Sequence, residues 1–189
     1  FGHRIWIVWV IQSLIHAGSA LLVYLLARRF LPAPKWPAIL AAAAYIFFID
    51  VLEFPAMLMT ETLYLFLVLC ATNFAFRYVE KTSTSDVIAA AIAFALALLV
   101  RPPVTIALGV FLLFIIARKQ YRYAVLFAAV VVLFLAPWTI RNYLRYDRLV
   151  VTSAILGYDV WVGNSPDSKH VCELTATDEI DRYSTEKGL

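Results

Sequence analysis

The chain is dominated by a rhythm of apolar runs, each close to the length that crosses a bilayer, interrupted by charged and proline-rich stops. A hydrocarbon core about 30 Å thick takes roughly 20 helical residues at about 1.5 Å each. No water reaches the backbone there, so a run of this kind must be helical or part of a closed barrel. The first run, Ile5–Ala27, ends at Arg28-Arg29; Pro32, Pro34 and Pro37 then break the chain, and Pro37 suits the first turn of the next helix. The second is Trp36–Leu52, closed by Asp50, Glu53 and Pro55, and the third runs from about Ala56 to Phe76 and stops at Arg77. A polar linker from Thr82 to Asp86 supplies capping side chains for a fourth, Val87–Val100, ending at Arg101-Pro102-Pro103. The fifth is Val104–Ala117, ending at Arg118-Lys119, and the sixth is Tyr123–Trp138, followed by Arg141-Asn142. Composition agrees: 63% of residues are hydrophobic and 15% charged, with mean hydropathy +0.81, against roughly 45–50% and 25% in soluble domains. The expected fold is an all-α polytopic membrane protein with about six transmembrane helices, which excludes a soluble enzyme, a disulfide scaffold, a collagen-like chain and a disordered segment.

Charge placement then selects an orientation. Basic residues follow spans one, three and five: Arg28, Arg29 and Lys35; Arg77 and Lys81; Arg118, Lys119 and Arg122. Asp50 and Glu53 follow span two, and a single base, Arg101, follows span four. The positive-inside rule puts the first group in the cytoplasm. The expected location is the cell (inner) membrane, multi-pass, with residues 1–138 as a transmembrane helical domain and 139–189 as a periplasmic or extracellular segment. That tail is acidic and mixed in character. Leu149–Thr152 and Tyr158–Val162 are β-rich, Gly157 and Gly163–Pro166 carry turn chemistry, and Thr177–Lys187 reads as a surface helix. A net charge of +3 gives no signal for nucleic acid. Cys70 and Cys172 differ too much in setting to suggest a disulfide or a metal pattern. Phe1 and the polar terminus at Leu189 suggest a fragment of a longer protein.

Glu61 is the most informative single position. One and a half turns into the third span, a carboxylate costs on the order of 2.5–3.5 kcal/mol at a helix centre, so it either faces a wet functional cavity or pairs with a neighbour such as Arg101. Asp50 and Glu53 sit nearer the interface and read as ordinary surface acids. Arg101 and Arg141 follow spans that end on the outer face; each is either an interfacial anchor or a planar guanidinium placed for a lipid phosphate. The pair is expected to share one cavity, with Asn142 beside Arg141. His16 is expected to hydrogen-bond within the bundle rather than bind a metal, and His3 and His170 lie apart from it. Ala89, Ala93 and Ala97 form a small-residue stripe suited to close helix packing. There is no Gly-rich phosphate loop, HExxH, CxxC or GxSxG.

Several local patterns then converge. These are Ile11-Gln12-Ser13-Leu14 through Arg28-Arg29, Thr60-Glu61-Thr62-Leu63, Leu98-Leu99-Val100-Arg101-Pro102, Pro137-Trp138-Thr139-Ile140-Arg141-Asn142-Tyr143, and Gly157 through Trp161-Val162-Gly163-Asn164-Ser165-Pro166. In this order and spacing the chain resembles the dolichyl-phosphate-mannose–protein mannosyltransferase-like family, glycosyltransferase family 39, which also includes the aminoarabinose transferase acting on lipid A. The resemblance implies a polytopic glycosyltransferase. It would move a sugar from a polyprenyl-phosphate donor to a lipid, protein or glycan acceptor at the outer face, among membrane lipids and without nucleic acid. It also implies a catalytic aspartate in a loop upstream of Phe1. Glu61 would then be an auxiliary acid, with Arg101, Arg141 and Asn142 binding the phosphate; a divalent metal is left open. The alternative is a secondary transporter or lipid flippase with Glu61 as its proton or substrate site, although no inverted repeat supports it.

Overall fold

The computed structural model describes residues 5–56, 60–147, 149, 151 and 152, all within one compact unit, Phe1–Thr152. They form α1 (Ile5–Phe30), α2 (Trp36–Phe47), α3 (Ile49–Ala56), α4 (Thr60–Lys81), α5 (Thr84–Val100), a 3-10 turn (Pro102–Val104), α6 (Thr105–Ala117) and α7 (Tyr121–Tyr146), with no strand among the described residues. Three helices are long and apolar enough to cross a membrane: Trp6–Phe30, Thr60–Lys81 and Tyr121–Tyr146. Three shorter apolar helices lie between them, Trp36–Phe47, Thr84–Val100 and Pro102–Ala117. The molecule is an all-α membrane protein.

The expected stops hold at some boundaries and fail at others. Pro37 sits in the first turn of α2. The second run breaks at Phe48, which turns extended (ψ 118°), and Asp50, Glu53 and Pro55 fall inside the separate helix α3 rather than closing α2. Ser83 occupies the N-cap position of α5 without a side-chain capping bond; its hydroxyl meets that of Ser85 at 2.8 Å instead. The largest correction is at α7, which continues eight residues beyond Trp138 and passes through Pro137. It stops where Asp147 turns left-handed (φ 50°) and its N–H donates to the Tyr143 carbonyl, an αL termination that Asp tolerates better than most residues. Of the β-rich stretch at 149–152, Val151 and Thr152 form a bend. The turn and surface-helix expectations beyond residue 152 lie outside the described residues.

The central helix is α5, packed against α4 on one side and α7 on the other. It is apolar nearly all round, as a buried helix must be. Ala93 and Ala97 of the expected stripe are buried, but so are Ala90, Ala91 and Ala95, so small side chains admit neighbours on more than one face. Lipid tails are as apolar as the side chains, so close packing rather than the hydrophobic effect holds such helices together. The tightest packing is aromatic. Phe111 stands edge-on to Phe127 at 5.3 Å and to Tyr78 at 5.9 Å, with Phe94 at 6.0 Å from both phenylalanines. Such pairs contribute about 0.5–1.5 kcal/mol each.

Ion pairs fix the ends. Arg29 pairs with Glu80 at 2.6 Å and Arg77 with Asp86 at 3.0 Å. The Tyr123 hydroxyl donates to the Thr82 carbonyl at 3.3 Å, and Tyr78 hydrogen-bonds Gln120. The C-terminal ends of α1 and α4 therefore meet the start of α5 and of α7 at one end of the bundle. The opposite end carries Glu61, Arg101 and Arg141.

Candidate functional site

Glu61 stands in the first turn of α4. Among the described residues α4 runs from Thr60, and residues 57–59, which the expected depth counted, lie outside them. A carboxylate in a first turn is favoured by the helix dipole. Its Oε1 lies 3.0 Å from Arg101 Nη2, with the side chains 21% and 46% exposed respectively, and the Thr60 hydroxyl reaches Oε2 at 3.4 Å. Glu61 is thus a partnered carboxylate, half of an ion pair with Arg101.

Arg101 is aimed by its neighbours. A residue before proline is driven to extended backbone, and Arg101 adopts φ −150°, ψ 132° while its N–H still donates to the Ala97 carbonyl. Pro102 opens the 3-10 turn, and the Thr105 hydroxyl bonds the Pro102 carbonyl at 2.6 Å. The side chain is thus swung out of α5 toward the start of α4.

Arg141 and Asn142 are helical residues of α7, not loop residues. Asn142 is buried, on the face that also carries Phe127, Val131 and Leu135. Arg141 is exposed and lies over the Trp138 ring at 5.2 Å, with its Nη1 3.4 Å from Asn142 Oδ1. Trp138 Nε1 in turn donates to the Thr152 carbonyl at 3.2 Å.

The heights of the two arginines follow from chain geometry. Tyr123 and Thr82 touch at the opposite end, and α5 and α7 run in the same direction from there. Arg101 and Arg141 each stand 18 residues beyond Ser83 and Tyr123, about 27 Å at helical rise. They share a level, but not a described cavity: the groove of about 520 Å³ that Arg141 lines is formed by Pro137, Ile140, Leu144 and Arg145 of the same helix. Arg101 is not among the residues that line this groove.

Other polar side chains lie deeper. Thr62 and Asn73 of α4 are buried, and Asn73 Nδ2 bridges to the Leu22 carbonyl of α1 at 3.2 Å and to the Leu69 carbonyl at 2.9 Å. His16 is buried against Tyr45, their rings stacked at 5.2 Å, and its Nε2 has no hydrogen-bond partner among the described residues. Residues 62, 66, 69 and 73 share one helical face. That spacing was the available signal for the α1–α4 seam, hidden because Thr and Asn do not interrupt an apolar run. Among the described residues no three His, Cys, Asp or Glu side chains gather.

A family model described as dolichyl-phosphate-mannose-protein mannosyltransferase matches residues 1–140. The match includes Glu61 and Arg101 and stops one residue before Arg141. No curated protein and no solved structure matches the chain.

Proposed function

The chain belongs to the dolichyl-phosphate-mannose-protein mannosyltransferase family, a glycosyltransferase-type membrane protein, and on that premise we propose that its Glu61 end handles the phosphate of a polyprenyl-phosphate-linked sugar. The family match over residues 1–140 carries this reading. In the reaction an acceptor hydroxyl oxygen attacks the anomeric carbon, and the bond from that carbon to the phosphate oxygen breaks. The electron pair leaves with the polyprenyl phosphate, and a carboxylate takes the hydroxyl proton. The leaving phosphate gains charge, so cations aimed at it lower the barrier.

Arg101 and Arg141, at one level of the bundle, are the proposed cations, and Asn142 supports Arg141. Glu61 acts through Arg101 as a positioning residue, or as an auxiliary acid when the pair opens. The end they occupy faces outward by the positive-inside rule, because the basic residues crowd the other end. Six spans follow if the three shorter apolar helices also cross. The acceptor class is a lipid, protein or glycan. The transporter alternative needs an intramembrane acid free to exchange protons or substrate, and the Glu61–Arg101 pair works against it.

The test measures transfer by the full-length protein in proteoliposomes against polyprenyl-phosphate-sugar concentration. Arg101→Ala and Arg141→Ala should raise the donor KM, lower kcat, or both, with the acceptor KM unchanged. Parental donor dependence in both folded variants sinks the proposal.

A further inference from the structure

Between the C-terminal turns of α1 and α4, at the end opposite Glu61, lies a cleft of about 510 Å³. Its floor is apolar, formed by Leu22, Leu25 and Phe74, one to two turns nearer the helix middles than its mouth. The mouth carries Arg28, Arg29, Arg77 and Lys81 against a single carboxylate, Glu80. Two of these cations are already matched, Arg29 by Glu80 at 2.6 Å and Arg77 by Asp86 at 3.0 Å. Arg28 donates to the neutral carbonyls of Leu31 (3.2 Å) and Pro32, and its charge has no ion-pair partner among the described residues. Lys81 is exposed and has no ion-pair partner among the described residues. One buried polar atom of a cleft-lining residue, the Arg29 Nε donor, also has no partner among the described residues. A buried polar atom without a partner is unfavourable unless something enters to satisfy it.

We propose that this cleft binds the phosphate headgroup of an anionic phospholipid. The phosphodiester sits between Arg28 and Lys81 and accepts from Arg29 Nε, while an acyl chain lies along the Leu22–Leu25–Phe74 floor. Basic pockets between membrane helices recognise lipid headgroups through this combination of charge and apolar wall. Arginine's planar donors suit phosphate oxygens. A free anion would use the mouth but gain nothing from the floor, which favours the lipid as the source. The site goes beyond the sugar-transfer reading and needs neither it nor the orientation; the orientation decides only which leaflet supplies the lipid.

The test is native mass spectrometry of the full-length protein in detergent, titrated with phosphatidylglycerol, phosphatidylcholine or inorganic phosphate. One phosphatidylglycerol should bind about tenfold tighter than phosphatidylcholine, and Lys81→Gln and Arg28→Gln should each weaken it about five- to tenfold. Lys81→Arg should stay within about twofold of the parent, because it keeps the charge. Lys35→Gln, a cation outside the cleft, should change nothing. Arg28→Gln also removes contacts to the Leu31 and Pro32 carbonyls, so Lys81→Gln is the deciding variant. Equal binding of both lipids, an unchanged Lys81→Gln, an equal loss in Lys35→Gln, or displacement of the lipid by inorganic phosphate at matched concentration would each overturn the proposal. None of these outcomes depends on turnover, so the site can fail while the transferase reading stands, and the reverse.

Discussion

Glu61→Gln, Arg101→Gln and the double variant form a cycle that separates a strut from a functional pair. At 3.0 Å and an effective dielectric constant near 20, the gross attraction is about 5.5 kcal/mol. Desolvation and the ordering of two long side chains remove most of it. Exposed pairs retain about 0–1 kcal/mol, whereas breaking a buried pair costs about 3–5 kcal/mol. With side chains 21% and 46% exposed, the Glu61–Arg101 pair falls between, and a coupling energy of about 1–2 kcal/mol is expected. The singles should also be unequal. Arg101→Gln strands Glu61, the less exposed partner, and should destabilise more than Glu61→Gln. The double variant should recover the coupling energy in thermal unfolding, since no charge is left unpaired.

Turnover should behave differently. If Arg101 meets the donor phosphate, Arg101→Gln slows transfer about tenfold to a thousandfold, the range for losing one donor to developing charge. Glu61→Gln slows it less, because the guanidinium remains but is less well aimed. The double variant then regains stability without regaining transfer. A double variant that is both stable and near parental in turnover refutes a functional role for the pair. Coupling below about 0.5 kcal/mol, the usual limit of additivity, refutes the pair itself.

Three further outcomes are expected. Arg77→Ala should destabilise by about 3 kcal/mol and Asp86→Ala by less in thermal melts, because the first leaves a carboxylate only 4% exposed without its cation while the second frees an arginine 47% exposed. The two described glycines should respond oppositely. Gly109→Ala has nothing within 4 Å of the new Cβ and should stabilise α6 by up to about 1 kcal/mol, whereas Gly18→Leu must displace Phe66, whose ring edge lies 3.2 Å from where the Cβ would stand, and should lower stability by about 1–3 kcal/mol. Single cysteines at Thr84 and Lys119, in a background lacking Cys70 and Cys172, should stay unlabelled by an impermeant reagent added outside; labelling of Thr84 reverses the orientation.

Membrane helices are legible where the stop is chemical. Arg28-Arg29 before Pro32 ends α1 within three residues of the expected Ala27, and Arg101-Pro102 ends α5 at Val100 as expected, because a residue before proline leaves the helical region. The break at Phe48 has no such mark: neither glycine nor proline stands there, and an exposed aromatic residue turns extended. At α7 the fault is of another kind. Hydropathy reports the edge of the apolar run at Trp138, whereas the backbone continues as helix through Arg141, Asn142 and Arg145 to Tyr146. A polar run can prolong a helix that an apolar run has nucleated. The site inherits that difference, since Arg141 emerges from a helix face rather than from a loop.

The two ends of the bundle differ in how their cations are occupied, and this bears on what each can bind. At the Arg77 end, neither Arg28 nor Lys81 is ion-paired among the described residues, so an anion can be taken up without breaking a pair. At the Glu61 end, Arg101 is already engaged, and a donor phosphate bound there as proposed would share it. Guanidinium permits sharing: it carries five donors in a planar fork, and the pair to Glu61 is made through Nη2, leaving the remaining donors for a second acceptor. An ammonium at the same position has three donors on a single nitrogen and no fixed plane. Arg101→Lys should therefore keep the ion pair and the stability of the parent yet fall between Arg101 and Arg101→Ala in donor binding. On the proposed reading, Glu61 stabilises the unliganded state, holding the guanidinium in place until a phosphate arrives. A Lys variant that binds donor as the parent does would mean that charge alone is used there, and a Lys variant as weak as Ala would mean that the planar fork carries the whole interaction.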